Sequence, residues 1–382
     1  MKEKQKNIRI CIMTFPTSKA GSISTLNLVK ILNSITNEIS LITGNVGYDT
    51  FENNKSIHVY GIPHKSGKIF FSRIIRFIIT QLRMSYYLIK IMKNIDVLFL
   101  TFGSEVLILP VITAKLFQKK IILAMAGSAL GVFESFKDFY WAAVRIISKI
   151  NFILSTKIVI YSKNLIEEFN LKSFQEKIIV APKHFVNLDK FKIMKTLDDR
   201  DNLIGYIGRF NEEKGVFNFV KAIPNIQKNI PNLNFLIIGD GPLKNDIVRF
   251  LSDNNLNQKV KVLEWIPHDD MPKYLNELKL LIIPSYTEAG PMILFESMAC
   301  GTPSIATPVG SVLDLIQDDK TGFIMENNST ECIAKNVERA FNNKNLDKII
   351  INARSLIERE YTYDAAVDRY KIILSEFSRL YK

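Results

Sequence analysis

The chain has 382 residues, 47% of them hydrophobic and 23% charged, which excludes a disordered protein and suggests two packed domains rather than one. Cys11, Cys300 and Cys332 are odd in number and far apart, which excludes a disulfide framework and fits a reducing, cytoplasmic compartment. The net charge of +12 is uneven: residues 1–200 hold 29 Lys/Arg against 14 Asp/Glu, whereas residues 201–382 hold 21 against 24, so the first half is the one suited to an anionic partner.

After the polar start MKEKQKN, the run IRICIMTF (8–15) reads as a buried strand, too short for a signal peptide. A Gly/Ser-containing loop and a helix through LNLVKILN follow. Strands are then expected at 38–44, 56–62, 96–102, 120–125, 157–162 and 177–182, separated by amphipathic stretches. The apolar stretch 121–133 stops at Glu134, short of the roughly 18 residues that a membrane-spanning helix needs. The charged, weakly patterned LDKFKIMKTLDDR (188–200) reads as a linker. A second series of strands is expected at 203–209, 234–240, 260–266, 280–285, 303–308 and 322–325, before a final amphipathic helix. This is the βαβ pattern of parallel sheets covered by helices. The expected domains are 1–195, 196–364 and a C-terminal helix, 365–382, packing back toward the first.

Ligands of open parallel sheets bind beyond the carboxyl ends of the strands, so three loops of the second half draw interest. In GRFNEEKG (208–215), Arg209 and Lys214 flank a short acidic loop at a strand end and suit a diphosphate. The same segment also reads as a solvated turn whose charges pair with Glu212 and Glu213. IIGDGPLKNDI (237–247) holds a Gly-x-Gly, but Lys244 stands at the third glycine position of the dinucleotide fingerprint. A tight strand-to-helix passage is its better explanation.

The third loop, in SYTEAGPMILFESMACGT (285–302), places Glu288 before a helix that begins at Pro291 and stops at Gly301, and Glu296 inside it. A helix N-terminus is an anion site. Carboxylates on either side of it suit the hydroxyls flanking a bound diphosphate. A loop charge and an exposed helix residue are the plainer reading of the same two glutamates.

Together these residues resemble the retaining glycosyltransferases of family 4, the glycosyl transferases group 1, most strongly from about 200 to 330. The E-x7-E pair is Glu288 and Glu296 in EAGPMILFE; SMACGTPSIATPVGSVLDLI, GRFNEEKG and GDGP follow the family's text in order and at its distances. The resemblance implies a GT-B fold, an α/β architecture of two Rossmann-like domains facing each other across a cleft. It implies a nucleotide-sugar donor, a glycan or lipid-linked acceptor, and no metal or other cofactor. Arg209, Lys214 and Glu288 would be the catalytic residues. Arg209 and Lys214 would neutralise the diphosphate, with Gly208 at the strand end. Ala289, Gly290, Pro291, Met292 and Ile293 would face the phosphate and donor sugar. Glu288 would take hydroxyls of the transferred sugar and Glu296 the ribose. Glu264, Trp265, Ile266 and Pro267 would frame the base, and Gly21 in PTSKAGSIS would close on the diphosphate. The sequence departs from the family where a histidine often follows a first-domain strand: Ala126-Gly127-Ser128 stands there. A sugar-nucleotide epimerase and a non-catalytic binding subunit are the alternative readings. The four histidines do not cluster and there is no C-x-x-C, so no zinc site is expected.

From Asn53 to Ile95 there are eight Lys/Arg and no acidic residue. Helical spacing gathers Arg73, Arg76, Arg83, Lys90 and Lys93 on one side, with Phe71, Ile74, Ile78, Leu88 and Met92 on the other. Such a helix suits either peripheral attachment to an anionic membrane at its inner face or an ordinary crossover helix with a solvated basic side. Nucleic acid is not expected, since the aromatic residues lie on the apolar side.

Overall fold

The computed structural model describes all residues except 1–7, 17–18, 66, 68, 102, 126–138, 289 and 379–382. It contains two parallel sheets. The first comprises β1 (Ile10–Thr14), β2 (Ile39–Thr43), β3 (His58–Gly61), β4 (Val97–Thr101), β5 (Lys120–Met125), β6 (Lys157–Ile160) and β7 (Ile178–Val180), in the order β3-β2-β1-β4-β5-β6-β7. The second comprises β8 (Leu203–Ile207), β9 (Asn234–Ile238), β10 (Val260–Leu263), β11 (Leu280–Ile283), β12 (Ser304–Ala306) and β13 (Phe323–Ile324), in the order β10-β9-β8-β11-β12-β13. Every strand expected from the sequence is present. The central ones, β1, β4 and β11, are buried along their whole length, which is why they read as continuous apolar runs. Both sheets are doubly wound: strand order reverses between β1 and β4 and again between β8 and β11.

Two strands end earlier than their hydrophobic text suggests. β8 stops at Ile207 and β10 at Leu263, which releases Gly208–Arg209 and Glu264–Ile266 into loops. The apolar Trp265 and Ile266 extend the strand-like pattern beyond the hydrogen-bonded ladder.

The chain divides into one unit of residues 1–183 with 366–382 and another of residues 184–365. The boundary falls twelve residues before the one expected at 195, and 188–200 is not a linker. Val186 and Phe191 are core residues of the C-terminal unit, and the Met194 N–H donates to Asn276 Oδ1 at 2.6 Å. Arg200 is 3% exposed, and its guanidinium donates to the carbonyls of Leu278 (2.8 Å) and Cys300 (2.9 Å) and to Thr302 Oγ1 (2.9 Å). A buried guanidinium is tolerated because both terminal nitrogens donate to carbonyl or hydroxyl oxygens, the Cys300 carbonyl at a helix end among them, although Nε has no partner among the described residues. Charge in the sequence therefore marked an internal cap rather than a solvated tether. In the N-terminal unit, Tyr370 of the last helix, Tyr363–Ser378, stacks on Phe99 of β4 at 6.2 Å and donates to the Ala181 carbonyl at 3.3 Å.

Candidate active site

The C-terminal unit brings two of the three loops together at the reversal between β8 and β11. The first leaves β8 at Gly208. Tyr206 Oη donates to the Arg209 carbonyl at 2.8 Å, and burial pushes the Tyr206 phenol well above its ordinary range, so it remains a donor. The GDG turn after β9 packs directly on this loop. A Cβ on Gly239 (φ +151°) would stand 1.9 Å from the Gly208 carbonyl oxygen, and one on Gly241 (φ +152°) 2.5 Å from that of Phe210. Those glycines serve close backbone approach, as the tight-passage reading holds.

The Asn211 side chain accepts from the Lys214 N–H at 3.1 Å and closes a short 3₁₀ turn, Glu212–Lys214. Gly215 follows with φ +64°, and a Cβ there would lie 2.0 Å from the Pro284 carbonyl oxygen. The β8 and β11 loops thus touch through backbone. Two hydrogen bonds reinforce the contact, Tyr286 N–H to the Glu213 carbonyl at 2.9 Å and Asn218 Nδ2 to Tyr286 Oη at 3.0 Å.

This contact presents Lys214 to Glu288. Lys214 Nζ lies 2.8 Å from Glu288 Oε1, which also accepts from Ser285 Oγ at 2.7 Å. The Glu288 side chain is 7% exposed and that of Lys214 18%, so this is a sheltered pair and not a loop charge. Arg209 is more open, and among the described residues its ion pair is with Glu213, at 3.6 Å. The solvated-turn reading therefore fits Arg209, whereas Lys214, though 3.9 Å from Glu213 Oε1, is sheltered and has Glu288 as its nearer partner. Gly310 (φ +53°) supports the loop from beneath: a Cβ there would lie 1.5 Å from the Glu288 carbonyl oxygen. Gly310→Ala should push the Glu288 backbone away and add left-handed strain of about 1–2 kcal/mol. Urea melts should register that loss, and an unchanged midpoint would mean that the loop accommodates the added methyl group.

The helix Met292–Ala299 starts after Pro291, its N-cap, and Gly301 follows its end with φ +66°, as the sequence indicates. Its first N–H groups have no partner within the helix. Gly290 lies over the His184 ring: a Cβ would stand 2.4 Å from His184 Cε1, and His184 itself stacks on Phe295 at 5.5 Å. Glu296 is buried rather than an exposed helix residue, and its Oε1 lies 2.7 Å from His268 Nε2. Lys190 Nζ lies 3.0 Å from His268 Nδ1 and 2.7 Å from Asp269 Oδ1. An ammonium only donates, so Nδ1 is the acceptor and Nε2–H donates to Glu296. This arrangement orients the carboxylate toward the loop after β10. In that loop Glu264 accepts from Lys244 at 2.5 Å, Trp265 is exposed, Ile266 packs on the core, and the Pro267 carbonyl accepts from the Asp270 N–H at 3.0 Å.

Glu288 and Lys214 are thus in direct contact, Arg209 joins through Glu213, and Glu296 and Glu264 are held by separate partners. Ala289 lies outside the described residues, as do Ala126-Gly127-Ser128. Gly21 belongs to the N-terminal unit and sits in the first turn of the helix Lys19–Asn33, not in an open loop. Ser285, His268, Lys190 and His184 went unnoticed in the sequence. Ser285 opens the stretch 285–302 but was given no role, His268 stood one position beyond 264–267, Lys190 lay in the segment read as a linker, and His184 carries no local signature.

Residues 189–356 match the family described as glycosyl transferases group 1. An uncharacterized glycosyltransferase of Methanocaldococcus jannaschii is 26% identical over 92% of this chain and 93% of its own. The alpha-D-kanosaminyltransferase of Streptomyces kanamyceticus is 29% identical, over 47% of each chain. Among solved structures, HepE of Anabaena in complex with UDP aligns with TM-score 0.78 over 97% of this chain and 100% of its own, at 14% identity. The fold is that of the GT-B glycosyltransferases. The part of the chain that carries the β8 and β11 loops thus resembles the glycosyl transferases group 1, and the relatives similar to the chain are glycosyltransferases.

Proposed function

We propose that the chain is a retaining, family 4 hexosyltransferase of the cytoplasm that uses a nucleoside-diphosphate sugar, a glycan or lipid-linked acceptor, and neither metal nor other cofactor. The observation that carries this reading is the sheltered Lys214–Glu288 pair at the strand-order reversal, beside the N-terminus of the helix Met292–Ala299. Lysine has three donor protons, so Lys214 can hold Glu288 and still reach a phosphate oxygen. In the reaction, the bond from the anomeric carbon to the phosphate oxygen breaks and its electron pair leaves with the nucleoside diphosphate. Arg209, Lys214 and the backbone N–H groups at Met292 and Ile293 stabilise that charge as it develops. The acceptor hydroxyl attacks the face that the leaving group vacates, and its proton passes to the departing phosphate. Glu288 holds hydroxyls of the sugar, and Glu296, oriented by His268, holds the ribose.

UDP-sugars are the first donors to test, because HepE, whose fold this chain shares, forms a complex with UDP. With an acceptor-containing extract, UDP release should require the acceptor and persist undiminished in EDTA. Loss of activity in EDTA with rescue by magnesium or manganese would overturn the cationic leaving-group site. Conversion of the sugar nucleotide to its epimer without acceptor would make the protein an isomerase. Arg209→Ala should weaken UDP binding by about 1.5–3 kcal/mol in calorimetry, the worth of a charge-assisted phosphate contact.

A further inference from the structure

The N-terminal unit carries a feature that the donor site does not use. Its long helix Phe70–Ile91 packs through Thr80, Gln81, Met84, Ser85, Leu88 and Ile91. Phe71 and Ile78, expected on the packed side, are exposed instead, Phe71 by 73%. The reason lies in the spacing: Phe71, Ile75, Ile78, Leu82, Tyr86 and Ile89 recur every three or four residues and form one outward apolar stripe. Arg76, Arg83 and Lys90, seven residues apart, run along one border of that stripe and are also exposed. Polar side chains occupy half of the buried positions, while the solvent side is the more apolar one. This inverts the usual amphipathic arrangement of a surface helix.

The two helices next to it repeat the pattern. The helix Phe70–Ile91 packs against Ile108–Leu116, which packs against Phe139–Leu154. The middle one exposes Ile112 and Leu116, the latter by 76%, beside Lys115. The third exposes Ile146, Ile150 and Ile153 beside Arg145 and Lys149. None of the three helices contains an Asp or Glu. Single exposed apolar residues are ordinary, but three adjoining helices with outward apolar rows are not.

We propose that this three-helix face lies on an anionic lipid bilayer, its apolar rows among the acyl chains and its Arg and Lys side chains at the headgroups. The charge selects this occupant. A second copy of the same face would bring cation against cation with no acid between them. A bilayer offers hydrocarbon and anionic headgroups at the depths that the stripe and its border require. No helix among the described residues is long and apolar enough to cross a membrane, so the attachment lies in the interface plane. It differs from attraction by charge alone, because the apolar rows give a part of the binding that salt does not screen.

The proposal rests on the N-terminal unit and not on the donor reading, and flotation with phosphatidylcholine vesicles, with or without phosphatidylglycerol, tests it separately. The intact protein should float with the phosphatidylglycerol vesicles and stay partly bound in high salt. Ile75→Gln, Leu82→Gln and Ile89→Gln combined should lower partitioning by about tenfold or more and remove the salt-resistant part. Arg76→Gln, Arg83→Gln and Lys90→Gln combined should lower it on the order of a hundredfold and erase the preference for anionic lipid. UDP affinity should stay unchanged in both variants. Failure to bind anionic vesicles would overturn the proposal. So would binding that high salt fully reverses and the glutamine variants at 75, 82 and 89 leave intact. Concentration-dependent self-association lost in those variants would make the face an interface between copies instead.

Discussion

Glu288→Gln should lower kcat on the order of 10²–10³-fold while leaving UDP affinity unchanged or slightly improved. The amide keeps the shape of the carboxylate and removes its charge. Oε1 of Glu288 is shared by Lys214 at 2.8 Å and Ser285 at 2.7 Å, so the carboxylate that the proposed function assigns to the sugar is held by two partners. Losing the charge weakens the grip on hydroxyls as positive charge grows at the anomeric carbon, and it frees Lys214 for phosphate. Lys214→Ala should behave in the opposite sense. UDP affinity should fall by about 1.5–3 kcal/mol. Stability should also fall, by roughly 3–5 kcal/mol, because a carboxylate that is 7% exposed loses its counter-charge. The double variant should recover much of that stability loss, since it leaves no unpaired buried charge. Single-turnover kinetics, calorimetry with UDP and urea melts of the three variants separate these effects. A drop in UDP affinity for Glu288→Gln equal to that for Lys214→Ala would place Glu288 on the nucleotide instead of the sugar.

The strands were legible because buried parallel strands are written as uninterrupted apolar runs between loops, and IRICIMTF and LLIIPS leave little choice. The helix after β11 was legible from two punctuation residues, Pro291 and Gly301, and the structure starts and stops it beside them. What escaped was pairing across loops. Nothing near Lys214 in the chain indicates that Pro284 presses on Gly215 and so aims the lysine at Glu288. For Glu296 the sequence left a surface residue and a ligand-holding one both open, because its partner His268 comes from another strand end. The segment 188–200 misled for the converse reason: a run dense in charge reads as solvated unless the carbonyls that receive Arg200 are visible. The helix Phe70–Ile91 misled because the periodicity of its apolar residues fixes a stripe but not the side of the helix that meets the sheet. That side is chosen by Thr80, Gln81, Met84, Ser85, Leu88 and Ile91, half of them polar.

Lys183→Met should stabilise the protein at pH 7, and the gain should shrink steadily as pH rises toward 10. Lys183 follows β7, is 1% exposed, and its ammonium has no hydrogen-bond partner among the described residues; the Tyr161 ring, 5.1 Å away, is its one cation–π contact there. Burial pulls its pKa down to about 7 from the ordinary lysine value of 10.5. The unfolded chain therefore binds a proton at Lys183 throughout the interval between those values, whereas the folded chain does not. More protons on the unfolded state mean that stability rises with pH across that window, by roughly 1.4 kcal/mol per pH unit. Below pH 7 both states carry the charge and the folded state bears the full desolvation cost, on the order of 5 kcal/mol. Methionine fills the same space without a charge, so its advantage is greatest at and below pH 7 and vanishes near the unfolded pKa. Burial also raises the phenols of Tyr161 and Tyr370, and ionisation of those tyrosines in the unfolded chain lowers stability above pH 10. That effect is common to both proteins and cancels in their difference. Urea midpoints of the two proteins at pH 6.5, 8 and 9.5, followed by near-UV circular dichroism, measure the gap directly. A gap independent of pH would mean that Lys183 stays protonated in the fold, with the Tyr161 ring stabilising the ammonium enough to offset its burial.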